Sequence, residues 1–289
     1  MNPEPISSPS NPKLKRLAAL REKSRVRKDE GVFVVEGRRE LERCAGAGFE
    51  VEAVFVCPEI FTGELPSGLV PPLSNRGCYV PQGAVPAQGK QPKVFSLTKD
   101  LYAKVAYREG TEGILAEVKS RTLHLSDLKS APGNSKDAPL LVVLESVEKP
   151  GNLGAVLRSA DAAGADAVIV CDPLTDLYNP NLIRASVGAV FTVPVVCCTS
   201  EEAIGWLRDN GIQILTAQLQ DSSLYYDRDM TLPTAIVMGT ESTGLTDIWR
   251  QAADAHIRIP MLGVEDSLNV SVSAAILLYE AVRQRQSRF

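Results

Sequence analysis

The sequence predicts an α/β protein in two units, the second built on a parallel sheet with helices on both faces. Three observations lead there. Beyond residue 139, short runs of nearly continuous apolar residues alternate with helix-patterned stretches, as in strands buried on both sides. Between Lys129 and Pro139 no apolar side chain is larger than Ala or Pro, so this stretch reads as part of a linker. A chain of 289 residues with 44% hydrophobic content can fill two ordinary cores, expected at 1–125 and 140–289 with 126–139 joining them.

Each element follows from local pattern. Met1 to Ser10 is polar and Pro-rich and lacks the apolar stretch of a secretory signal. Leu14, Leu17, Ala18 and Leu20 form one helical stripe. A β run at Val32–Val35, a helix at 37–47 and a strand at 51–57 then give a βαβ-like beginning. From Pro58 to Pro92, Pro and Gly are dense, with Leu69, Leu73, Tyr79 and Val80 as the candidate buried points. A strand at 94–97, a helix at 99–106 and a strand at 114–118 close the first unit. In the second, strands are expected at 140–144, 168–171, 193–196, 212–215, 235–238 and 256–261. Helices are expected at 153–163, 180–189, 200–209, 244–252 and 269–285, the last too apolar to face solvent all round.

Composition narrows the function. No apolar run approaches the roughly 20 residues of a membrane helix, so a cytoplasmic protein is expected. Six cysteines (Cys44, Cys57, Cys78, Cys171, Cys197, Cys198) lack CxxC spacing and read as reduced core residues. The only histidines, His124 and His256, stand apart from each other and from any cysteine pair, which speaks against a metal site or a Ser/His/Asp triad. The net charge is −4, yet Lys13 to Lys28 holds eight Lys/Arg against one acid, Glu22. Such a run serves either as a solvated helix face or as a phosphate-binding arm.

In a parallel sheet, ligand contacts come from loops at the carboxyl ends of the strands. Three such loops carry chemistry. Lys149–Gly154 opens a helix whose apolar side is Leu153, Val156, Leu157 and Ala160, leaving Arg158 on the other face. Gly239-Thr240-Glu241-Ser242-Thr243-Gly244 follows an apolar strand, and its glycines allow close backbone approach. It is not the Gly-x-Gly-x-x-Gly of a dinucleotide site, so a nucleotide-dependent oxidoreductase is the weakest reading. The third loop runs from Ile259-Pro260-Met261 to Ser267-Leu268-Asn269, where Ser267 and Asn269 would also serve as helix caps.

The ordered set Asn152-x-Gly154-x-x-x-Arg158, Gly239-x-Glu241-x-x-Gly244, Ile259-Pro260-Met261 and Ser267-Leu268-Asn269-Val270-Ser271-Val272 resembles the SpoU (TrmH-like) RNA 2′-O-methyltransferases of the SPOUT superfamily. The likeness covers Leu140 to Val282. Residues 31–58 and 107–118 resemble, more weakly, the family's ribosomal-protein-like RNA-binding domain. Departures are modest: Glu145 stands where an Asp is common, and Gly151 precedes Asn152 in place of a bulkier residue.

The resemblance implies a SPOUT sheet with a C-terminal deep trefoil knot, S-adenosylmethionine as cofactor, and a homodimer in which two chains complete each active site. By position it implies Gly239, Gly244, Ile259, Met261 and Leu268 as cofactor contacts. Asn152, Arg158, Glu241, Ser267 and Asn269 would form the catalytic cluster, with no metal. Residues 1–125 are then expected to recognise RNA, ribosomal RNA ahead of transfer RNA. The alternatives are a tRNA 2′-O-methyltransferase and a catalytically silent RNA-binding protein.

Overall fold

A computed structural model describes residues 3–65, 91–107, 112–128, 138–240 and 243–286. Leu69, Leu73, Tyr79, Val80, Cys78, Glu241 and nearly all of the 129–139 stretch lie outside the described residues. In chain order the elements are β1 (Glu4–Ile6), α1 (Pro12–Glu22), α2 (Ser24–Glu30), β2 (Val32–Glu36), α3 (Arg38–Gly46), β3 (Val51–Val56), β4 (Lys93–Leu97), α4 (Lys99–Val105) and β5 (Ile114–Lys119). There follow β6 (Leu140–Glu145), α5 (Pro150–Ala163), β7 (Ala167–Cys171), α6 (Pro180–Ser186), α7 (Ala189–Thr192), β8 (Val195–Cys198), α8 (Ser200–Asp209), β9 (Gln213–Ala217), β10 (Ser223–Leu224), β11 (Thr234–Met238), α9 (Asp247–Ala252), β12 (Ala255–Arg258) and α10 (Val270–Gln286).

The chain divides into two units, Met1–Arg121 with Asp176–Thr192, and Thr122–Thr175 with Val193–Phe289. In the first, the sheet order is β1-β4-β3-β5-β2. The βαβ-like beginning is real, but β2 and β3 are not neighbours, because β5 lies antiparallel between them. β1 was not expected, since Glu4-Pro5-Ile6 has no strand pattern; its pairing with β4 is what makes it one. Asn11 caps α1, its Oδ1 accepting the Lys13 N–H at 2.9 Å, and Leu14, Leu17 and Leu20 are buried. Segment 176–192 packs in this unit through Tyr178 and Phe191, whose rings meet Phe33 at centroid distances of 4.1 and 5.8 Å.

The basic run is only in part a solvated face. Arg27, 4% exposed, pairs with Asp176 at 2.6 Å and donates to the Leu20 carbonyl. Arg21 reaches the Ala106 carbonyl at 2.8 Å, and Arg16 bonds Glu30 and Glu117. Their charge is spent inside the unit, leaving Lys15, Lys23, Arg25 and Lys28 exposed.

Glu117 on β5 is 4% exposed, and its Oε1 has no partner. Burial, reinforced by Glu52 and Glu30 and only partly opposed by Arg16, pushes its carboxyl from an ordinary 4.5 up to about 7. The folded state therefore holds this proton more tightly than the unfolded chain. The contribution is fully present below about 4.5 and is lost as the pH rises through about 7. Glu117→Gln abolishes that slope, so denaturant titrations should show the variant more stable than the parent at pH 8, by up to about 3 kcal/mol, with the advantage gone at pH 4.5.

The second unit's sheet has the order β10-β12-β9-β11-β6-β7-β8, and all its strand pairs are parallel. Leu141, Val143, Ile169, Ile214 and Val237 build one core with Leu207 of α8 and Trp249 of α9. α5 and α10 pack on one another, burying Leu153, Val156, Leu157 and Ala160 of the first and Ala274, Leu277, Leu278 and Ala281 of the second. Arg285 fastens the end of α10, donating to the carbonyls of Met230, Pro139 and Leu232 at 2.9, 3.1 and 3.0 Å, and to that of Ala138.

Several expected bounds shift. The helix at 180–189 is two helices, broken where Val187 and Gly188 take φ of 54° and 82°. The helix expected from 244 begins at Asp247, because Gly244 is still paired with Thr240 and turns back at a φ of 69°. β12 ends at Arg258, so Ile259-Pro260-Met261 is loop; Pro260 has no N–H to give a ladder. Among the described residues no helix is long and apolar enough to cross a membrane.

Candidate active site

Three segments far apart in sequence meet at the carboxyl end of the parallel sheet. A pocket of about 230 Å³ is lined by Val147, Glu148, Lys149, Asn152, Gly239, Thr240 and Val270. Asn152 enters from the first turn of α5, where Pro150 occupies a position that needs no N–H. Asn269 caps α10, its Oδ1 accepting from Ser271 N–H at 2.9 Å and Ser271 Oγ at 2.6 Å. Asn269 Nδ2 then donates to Asn152 Oδ1 at 3.2 Å, linking positions 117 residues apart.

Thr240 and Gly244 exchange backbone hydrogen bonds of 3.3 and 3.1 Å, and Gly244 turns back with φ of 69°. A Cβ on Gly239 would stand 2.3 Å from the Gly244 carbonyl carbon and oxygen, so only glycine lets the strand leave the sheet beneath this loop. Glu145, 3% exposed at the end of β6, holds the loop's exit: it accepts the Thr246 N–H at 2.9 Å and the Thr246 hydroxyl at 2.5 Å. Beside it, Ser200 Oγ donates to Asp172 at 2.6 Å and accepts from Trp249 Nε1 at 3.0 Å. The buried carboxylate thus ties α9 to the strand two places away from β9 and fixes where Gly239 and Thr240 lie.

Of the expected site residues, Asn152, Gly239 and Asn269 come together at the pocket, with Gly244 closing the loop above Gly239. Arg158 is exposed on α5 and is not part of the pocket wall. Ile259 and Met261 are half-buried, and Ser267 and Leu268 are exposed on the long loop before α10; none of the four lines the pocket. Glu241 lies outside the described residues. Lys149, Thr240 and Val270 lie in the expected segments without having been singled out, whereas Val147 and Glu148 as lining, and Glu145 and Thr246 as the brace, were not foreseen. Glu145 had one legible sign, a carboxylate ending an otherwise apolar strand.

Against known proteins, residues 139–279 match the SpoU rRNA Methylase family, and residues 11–116 match the MRM3-like substrate binding domain. The chain is 37% identical over 186 residues to the 23S rRNA (guanosine-2′-O-)-methyltransferase RlmB of Pseudomonas syringae pv. tomato, covering 63% of this chain and 74% of that one. Among solved structures, one described as an RNA 2′-O ribose methyltransferase aligns with a TM-score of 0.78 at 36% identity, covering 98% of this chain and 99% of the other. An AdoMet-bound rRNA methyltransferase from Sinorhizobium meliloti aligns with a TM-score of 0.81 at 26% identity, covering 97% of each chain.

Proposed function

Since the chain belongs to the SpoU rRNA methylase family, we infer that it is an S-adenosylmethionine-dependent methyltransferase acting on a ribose 2′-hydroxyl of ribosomal RNA. The observation that carries this reading is the meeting of Asn152, the Gly239 loop and Asn269 around one pocket at the strand exits. The pocket suits the cofactor: its wall pairs backbone and amide groups with one carboxylate, Glu148, and one ammonium, Lys149, to meet a zwitterionic amino-acid moiety. Gly239, Gly244, Ile259, Met261 and Leu268 are the positions we assign to holding it. When bound, it supplies a methyl group on a sulfonium, open to displacement by an oxygen nucleophile.

The chain's own residues then have to orient that oxygen and ease the loss of its proton. We assign Asn152 and Asn269, hydrogen-bonded to each other, to orienting the ribose, and Ser267, two residues before Asn269 in sequence, to the same task. Arg158 acts as a cation on the developing alkoxide and the neighbouring phosphate; a guanidinium keeps its protons too firmly to be a useful base. Glu241 fixes that guanidinium or relays the proton.

Because Arg158 stands outside the pocket of its own chain, it serves a second copy in this reading, within a homodimer. A stripe on α10 supports that assembly: Val272 and Tyr279 are 46% and 51% exposed with Ile276 between them, while Leu277 and Leu278 are already buried within the chain. A C-terminal knot is supported by β12 lying beyond β9 while α10 returns onto α5. Residues 1–125 would recognise RNA, 126–139 would link, and 140–289 would carry catalysis, in the cytoplasm.

Mapping 2′-O-methyl groups in total RNA from cells with and without the gene tests the function. One ribosomal position should lose its methyl group and regain it with purified protein and S-adenosylmethionine. A lost transfer-RNA methyl with ribosomal RNA unchanged would point to the tRNA alternative, and no change anywhere to the silent RNA-binding one.

A further inference from the structure

We propose that Gln218 reads the adenine ring of the cofactor, its side-chain oxygen accepting a hydrogen bond from the 6-amino group; this rests on the cofactor reading above. Gln218 is the first residue past β9, and its backbone N–H still pairs with the Ile257 carbonyl at 3.0 Å. The sheet register locates it. Thr216 stands opposite Val237, and Ala217 opposite Ile257, so continuing each ladder sets Gln218 level with Gly239 on one side and Arg258 on the other. It therefore sits between the exits of β11 and β12, next to two of the positions assigned to the cofactor, Gly239 and Ile259.

The side chain itself points to a ligand. Gln218 Oε1 is buried with no hydrogen-bond partner in the chain, one of three such side-chain atoms among the described residues. An unpaired buried acceptor is costly, and an incoming donor that reaches it recovers that cost. The amide cannot turn over freely, because Nε2 donates to the Gln220 carbonyl at 3.0 Å and so fixes Oε1 as the inward atom. What is presented is an oriented acceptor between two strand exits, matched to an amino group and opposed to a carbonyl. Adenine offers an amino group at that edge, whereas hypoxanthine offers an oxygen, which would leave two acceptors facing each other. The side chain thus adds base selectivity to a loop site otherwise made largely of backbone.

Titration calorimetry on the full chain with S-adenosylhomocysteine and its deaminated analogue S-inosylhomocysteine decides the matter. The parent should prefer the adenine form. Gln218→Leu should weaken S-adenosylhomocysteine about tenfold, as loss of one buried hydrogen bond does, and leave S-inosylhomocysteine no weaker, or tighter as the facing acceptor is removed, so the preference collapses. Gln218→Met supplies the same comparison if the branched side chain does not fold. A preference that survives either substitution, or a parallel loss for both analogues, overturns the assignment. Failure of the parent to bind S-adenosylhomocysteine would sink the cofactor reading itself, a distinct result.

Discussion

Arg158→Ala should lower methyl transfer by about 10²–10³-fold while S-adenosylmethionine affinity stays within a few-fold, as expected when one donor to a developing oxyanion is removed. The separation follows from position. Arg158 is exposed on α5, opposite the buried stripe of Leu153, Val156 and Leu157, so its loss removes no packing. It is also absent from the pocket wall, so cofactor contacts in its own chain should survive. Arg158→Lys refines the role, because lysine keeps the charge and loses the bidentate fork; partial rescue supports simple electrostatics and no rescue supports a phosphate clamp.

Mixing experiments test the two-chain site directly. Chains carrying Arg158→Ala and chains carrying Asn152→Ala should each be nearly inactive, yet co-assembled they should regain activity from sites that combine an intact Arg158 with an intact Asn152. No recovery despite confirmed co-assembly would return Arg158 to its own chain's site.

Gly239→Ala should cost the second unit about 1–3 kcal/mol and weaken S-adenosylmethionine by about tenfold or more. The added Cβ would meet Gly244 backbone atoms at 2.3 Å and Leu245 N at 2.6 Å, and backbone cannot swing aside as a flexible side chain does. Relief requires opening the Thr240–Gly244 bridge, which displaces the loop edge that walls the pocket. Gly151→Ala is the control, since a Cβ there meets nothing within 4 Å; it should bind the cofactor as the parent does. Thermal unfolding alongside calorimetry separates the two effects. Unchanged affinity in Gly239→Ala would show that the closed loop is not part of the cofactor site.

The alternation of apolar runs with helical stripes was enough to read a two-unit α/β chain, because burial on both faces writes itself into consecutive residues. Strands β6, β7 and β11 lie within a residue or so of their expected bounds for this reason. Taken singly, turn glycines, a lone surface Arg and capping Ser or Asn all have ordinary uses, so the loops between the strands point to a ligand only as an ordered set, and that order resembles the family. Only tertiary structure decided which of these residues meet. Asn152 and Asn269 touch because α10 comes back onto α5, and Asn269 alone reads as an ordinary cap. The same holds for Glu145, whose partner Thr246 is 101 residues away, and for the basic run, where Arg16, Arg21 and Arg27 look solvated until Glu117, Ala106 and Asp176 are brought to them. Periodicity records whether a side chain is buried. The identity of its partner depends on strand order and chain crossing, which no local window of sequence contains.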